Sequence, residues 1–186
     1  MNDFKKTFSA SAVLISALSV ISCNQSAGEQ AGNTNIPQSE DATPVTTGTA
    51  ITGPYAALSK SEVNISEGES FTLDVTVNDF VVSEGGGVTL FFDPASVQVT
   101  KVNVDKSVWD FVSKDGTINN AGGTVSDILF SSYQGVSGNA RIATIEFIAI
   151  KSGTTELTLK EATANPFASN GKNMVVSFKS TIVVAN

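Results

Sequence analysis

The chain has no histidine and a single cysteine among its 186 residues. Without histidine the commonest general base and metal ligand is missing. One cysteine closes no internal disulfide, and it leaves no Cys/His set for a structural zinc. Tryptophan occurs once and tyrosine twice, so most of the aromatic content is the eleven phenylalanines. Positive charge is also scarce: Lys and Arg number 11 against 18 Asp and Glu, for a net charge of −7. From Pro54 onward the balance is nine against fourteen, which places five of those seven negative charges in this part. A nucleic-acid footprint needs a basic stripe, and anionic lipid needs a basic patch, so neither partner is expected to be held through protein charge. No Asp-x-Asp-x-Asp run offers calcium a cluster of oxygens, although Asn78-Asp79 and Asp105 sit in candidate loops. No phosphate loop follows Gly85-Gly86-Gly87, because the Lys-Ser/Thr pair and the helix are missing.

The apolar stretch Ala10–Ile21 is about a dozen residues long. It is too short to span a bilayer with ease and suits the core of an export signal, with Lys5 and Lys6 as its basic flank. It ends in Val20-Ile21-Ser22-Cys23, which resembles a bacterial lipobox and implies lipid modification of Cys23. Residues 1–22 are therefore expected to be a lipoprotein signal peptide. Residues 23–53 are expected to be a disordered linker, being rich in Ser, Thr, Gly, Asn, Gln and Pro. A flexible tether of that length reaches roughly 30 Å on average. The expected location is the bacterial cell envelope, on the outer membrane or cell surface, with the membrane held through the lipid on Cys23.

Residues 54–186 read as the folded domain. Phe71, Leu73, Val75 and Val77 alternate with Thr72, Asp74, Thr76 and Asn78, the period of a half-buried strand. Gly85-Gly86-Gly87 leads into the apolar run Val88–Phe92, which Asp93-Pro94 stops. Val97–Val104, Thr124–Ser131, Ile142–Ile150, Glu156–Lys160 and Met174–Val184 read as further strands, with Asn78–Gly87 and Gly135–Asn139 as loops. Turn signals recur every eight to twelve residues and no helical period is seen, so an all-β, nine-stranded jelly-roll sandwich is expected.

Taken in order, several segments together resemble a cohesin-type module, a sandwich related to the cellulose-binding modules. They are Val63–Val75, Gly87–Val97, Ala143–Phe147, Lys151–Leu159 and the final Val-rich strand. The resemblance implies non-covalent binding of a protein partner, dockerin-like or other, on one exposed sheet face, with a link to polysaccharide degradation. On that resemblance Val88–Phe92 and Thr124–Ser131 contribute to the face. Thr89 and Phe91 point outward there, and Asn119, Ser131 and Tyr133 are the implied contacts. The alternative is a carbohydrate-binding module that holds polysaccharide at the cell surface. Trp109 and Phe111, two apart and so on one face if they lie in a strand, are its candidate sugar platform. Carboxylates such as Asp93 and Asp127 are not singled out by any spacing as an acid/base pair. A non-catalytic monomer with no cofactor and no metal is the expectation.

A palmitate analogue fed to the producing cells is expected to label the wild-type chain and not Cys23→Ser. Label that survives the substitution, or none on the wild type, removes the lipoprotein expectation.

Overall fold

A computed structural model describes residues 52–186. The expected signal peptide, the lipidation residue Cys23 and all of the expected linker except Thr52 and Gly53 lie outside the described residues. Among the described residues there are twelve strands, rather than nine: β1 (Tyr55–Leu58), β2 (Glu62–Ile65), β3 (Ser70–Phe91), β4 (Val97–Val104), β5 (Phe111–Lys114) and β6 (Thr117–Asn119), then β7 (Thr124–Ala149), β8 (Gly153–Glu161), β9 (Ala168–Ser169), β10 (Lys172–Asn173), β11 (Ser177–Phe178) and β12 (Thr181–Ala185). No helix occurs among the described residues.

The fold is organised by one antiparallel ribbon. β3 and β7 pair from Ser70↔Ile148 to Phe91↔Thr124. A straight strand of 22 residues would run about 70 Å, whereas a domain of this size has a radius of gyration of about 14 Å. The ribbon must therefore bend. Its register shifts concentrate between Val75 and Gly85, where extra residues kink the strands. Asp79 has φ +58° on one side of the bend, and Gly135 and Gly138 have φ of +73° and +75° on the other.

The bend lets one ribbon serve two layers. In the first layer the order is β4, β7, β3, β1, β11, built on the Ser70–Asn78 part of β3. In the second it is β5 and β6, then β7, β3, β8, β12, β2, built on the Gly85–Phe91 part. Val75, Val77, Ile145 and Phe147 from the first layer meet Val88, Leu90, Val125, Ile128, Leu157, Leu159 and Val183 from the second in one core. Phe71 stacks on Phe147 at 5.0 Å. Beside the bend, Trp109, Phe130 and Phe167 pack in series at 4.5 and 5.7 Å, with Phe80 and Phe178 against Phe167.

Three expectations change. Asn78–Gly87 and Gly135–Asn139 are mostly ribbon and not loops, because backbone pairing there needs no apolar alternation. The expected last strand, Met174–Val184, is instead two strands in different layers: β11 pairs with β1, and β12 with β8 and β2. The strand count rises for the same reason, since short bridging pieces carry no sequence period.

The glycine triplet marks a close approach of backbones. A Cβ on Gly85 would stand 2.5 Å from the Phe130 carbonyl oxygen, and its φ is +148°. A Cβ on Gly86 would touch the Phe167 ring at 3.0 Å, where a small shift suffices. Gly85→Ala is therefore expected to destabilise the domain by about 1–3 kcal/mol, more than Gly86→Ala. Urea midpoints at unchanged m-value check this, and equal midpoints for the two variants would contradict it.

Candidate binding face

Along each strand of the second layer, side chains alternate between the core and the outer face. On β3, Val88 and Leu90 are buried, as is Phe92 just beyond it, while Thr89 and Phe91 are half-buried and outward. On β8, Leu157 and Leu159 face inward, which turns Glu156, Thr158 and Lys160 out. On β7 the outward row is Leu129, Ser131 and Tyr133. Register lines these residues up: Phe91 lies between Thr158 and Thr124, Thr89 opposite Lys160, and Leu129 opposite Lys114. Ser131 faces Phe111 across the β5–β7 pair, and Asn119 faces Thr124. Four strand positions at 4.8 Å spacing make a surface about 15 Å wide.

The centre of this surface is apolar, and it carries one ion pair. Leu129, Phe91 and Phe111 supply the apolar area, and Phe111 is 61% exposed. The Lys160 ammonium stands 5.1 Å from the Phe91 ring centroid, a cation–π contact. Lys114 pairs with Asp127 at 3.0 Å, and the Ser126 hydroxyl donates to the same carboxylate. Where Gly85 and Gly86 carry no side chain, a hollow of about 250 Å³ opens between Phe111, Ser131 and Pro166.

All five expected contacts, Thr89, Phe91, Asn119, Ser131 and Tyr133, lie on this outer surface, with different freedom. The Asn119 carboxamide oxygen accepts from the Gly122 amide at 2.9 Å and so holds the turn before β7. The Ser131 hydroxyl leans on the Phe111 carbonyl at 3.4 Å. Tyr133 is 88% exposed. Leu129, Lys114 and Lys160 belong to the surface and were not foreseen. For Leu129 the alternation is set by a backbone bulge on β7 at Asp127, φ +57°, which no residue type announces.

The expected sugar platform of Trp109 and Phe111 is not formed. Trp109 is fully buried, in contact with Phe130, and its indole N–H donates to the Arg141 carbonyl at 2.8 Å. It precedes β5, in a turn where the Val108 and Trp109 amides donate to the Asp105 carbonyl, so the two-residue spacing does not put both rings on one side. Asp105 anchors this turn. Its carboxyl is held below the usual range by the Ser107 hydroxyl and by Arg141, whose Nη2 lies 2.7 Å away, against the opposing effect of burial.

The other carboxylates are equally committed. Asp93 accepts the Ala95 amide and the Ser96 hydroxyl in the turn between β3 and β4; the hydroxyl, then the amide, lower its pKa. Asp93 is thus occupied by its turn and Asp127 by Lys114. No group of three or more Asp, Glu, His or Cys side chains able to hold a metal is found among the described residues.

The two layers, the bent ribbon and the outer sheet β8-β3-β7-β5/β6 make this a jelly-roll sandwich with one flat, partly apolar face. Its fold is that of the cohesins. The cohesin of the OlpA–dockerin complex from Clostridium thermocellum superposes with a TM-score of 0.58 at 10% identity, covering 73% of this chain and 100% of that one. The non-cellulosomal cohesin from the archaeon Archaeoglobus fulgidus gives 0.56 at 14%, over 73% and 92%. The seventh ScaB type I cohesin from Pseudobacteroides cellulosolvens gives 0.54 at 14%, over 72% and 92%. No protein-family model and no curated protein matches the sequence.

Two outcomes follow. Acrylamide is expected to quench Trp109 fluorescence weakly, and quenching like that of free indole would contradict its burial. Asp105 has a depressed folded pKa, so its stabilisation is present above the unfolded value near 3.8 and is lost as pH falls through the folded one. Asp105→Asn should therefore flatten the acid limb of a stability–pH curve below about pH 4. An unchanged limb would show that Asp105 contributes nothing to it.

Proposed function

We propose that this chain is an exported, lipid-anchored envelope protein whose cohesin-fold domain binds a protein partner non-covalently, without catalysis. The carrying observation is the shared fold, because solved structures of that fold include cohesins in complex with dockerins. Supporting it is the outer face of β8, β3, β7 and β5/β6, which has an apolar centre and a polar rim, the composition of a specific interface. The partner is dockerin-like, and its setting is polysaccharide degradation at the cell surface, as the sequence resemblance implies. The likeness to a cohesin described as non-cellulosomal fits a single module on a tether. The non-catalytic reading is supported by Asp93, Asp105 and Asp127, each engaged in a turn or ion pair rather than gathered into a cleft.

Leu129, at the centre of the face and half-buried, is the natural anchor. The full chain carrying Cys23→Ser, immobilised, is expected to retain a dockerin-bearing protein of the producing cell. Leu129→Asp should weaken that retention by about 30-fold, the equivalent of about 2 kcal/mol for an interface anchor. Retention that is equal for the two, or no dockerin-bearing protein retained by a well-folded bait, would sink the proposal.

A further inference from the structure

Past Ser131 the β7 strand runs on as Ser132-Tyr133-Gln134-Gly135, where the ribbon turns from one layer to the other. Tyr133 is 88% exposed there and Phe111, on the neighbouring β5, 61%. A monomeric protein usually keeps large aromatic side chains out of water, and two at one place mark a contact surface. Between them is an open hollow of about 560 Å³, floored by Val108 and Val136 and edged by Asp110, Ser132 and Gln134. Phe111 is the ridge that divides this hollow from the one over Gly85 and Gly86.

The lining selects the ligand by exclusion. No Lys or Arg lines the hollow and Asp110 does, so phosphates, sulfated chains and uronates are repelled. The hollow is open and shallow, with polar groups along its edge, so it does not enclose an apolar small molecule. What remains suits a chain of neutral sugars. Such a ligand has an apolar C–H face for an exposed ring and hydroxyls for nearby donors and acceptors. Gln134 has no side-chain hydrogen bond among the described residues, leaving its amide free to donate and accept. The Asp110 carboxylate accepts the Ser132 hydroxyl at 2.9 Å and keeps lone pairs for sugar hydroxyls.

We propose that the Phe111–Tyr133 hollow is a binding site for a neutral polysaccharide, in which the two rings stack on sugar units and Asp110 and Gln134 hydrogen-bond their hydroxyls. This goes beyond protein binding. The domain would hold substrate at the surface through one end of the face while the centre holds a partner. The platform is therefore made by Phe111 with Tyr133, in place of the expected Trp109 with Phe111.

Affinity electrophoresis tests it with the full chain carrying Cys23→Ser, run through gels containing mixed-linkage β-glucan, xylan, mannan or polygalacturonate. At least one neutral polymer is expected to retard the wild type, and polygalacturonate is not. Phe111→Ala and Tyr133→Ala should each weaken the interaction by about tenfold, the scale of one lost ring contact. Tyr133→Phe should keep most of it, and Tyr55→Ala, an aromatic on the other layer, should leave it unchanged. No retardation by any neutral polymer overturns the proposal, as does retardation insensitive to both alanine variants or seen only with polygalacturonate. If Tyr133→Ala weakens capture of the protein partner while no polysaccharide binds, the hollow belongs to the protein-docking face instead. None of the electrophoresis readouts depends on whether a dockerin-like partner is found.

Discussion

One antiparallel ribbon bent onto itself is the constraint the rest of the domain satisfies. β3 and β7 stay paired through the bend, so the two layers share one pair of strands. A bent ribbon brings its own two halves face to face, and the apolar sides of those halves become the core. The aromatic series Trp109, Phe130 and Phe167 lies beside the bend, where strands diverge and small side chains would leave voids. Gly85 and Gly86 answer the same geometry from the backbone: β7 and Phe167 come so near that a Cβ is excluded or barely fits. The bend therefore explains both the largest buried side chain and two of the residues with none.

The same bend determines what the outer face presents. Glycines required for close packing strip side chains from the middle of β3, and the resulting hollow has Phe111 for a wall. The turn that buries Trp109 also delivers Phe111 to the surface two residues later. Asp105 holds that turn from two directions, accepting from Ser107 locally and from Arg141 on β7. Arg141 supplies the carbonyl that receives the Trp109 indole as well, so one residue secures the tryptophan through backbone and side chain. A core residue and a surface residue are thereby placed by one device.

Much of the fold could be read from the amino acids wherever one side of a strand meets the core and the other meets water. Phe71–Val77 and Glu156–Lys160 are such places, and the ordered segments resembling cohesins follow from them. Reading failed where pairing is carried by backbone alone. Asn78–Gly87 looks like a loop by composition, yet it is strand for most of its length. It failed again at Met174–Val184, where a near-continuous apolar run hides a switch of layers between Phe178 and Thr181. Trp109 and Phe111 show a third limit. Spacing of two implies a shared face only within a strand, and the turn built on Asp105 ends before β5 begins.

The hardest feature to foresee is also the one the outer face depends on most. Val125 is buried, so uninterrupted alternation along β7 would turn 127, 129, 131 and 133 toward the core. Ile128, Phe130 and Ser132 are the buried ones instead. The change of phase occurs at the β-bulge before Ile128, where Asp127 takes a left-handed conformation at φ +57°. That conformation costs a non-glycine residue on the order of 1 kcal/mol. Its carboxylate recovers part of the cost by pairing with Lys114 across the strand. From Ile128 to Tyr133 the phase is reversed by it: two large apolar side chains go in, and Leu129, Ser131 and Tyr133 come out. The anchor proposed for a protein partner and a ring proposed for a sugar chain thus owe their exposure to one inserted residue.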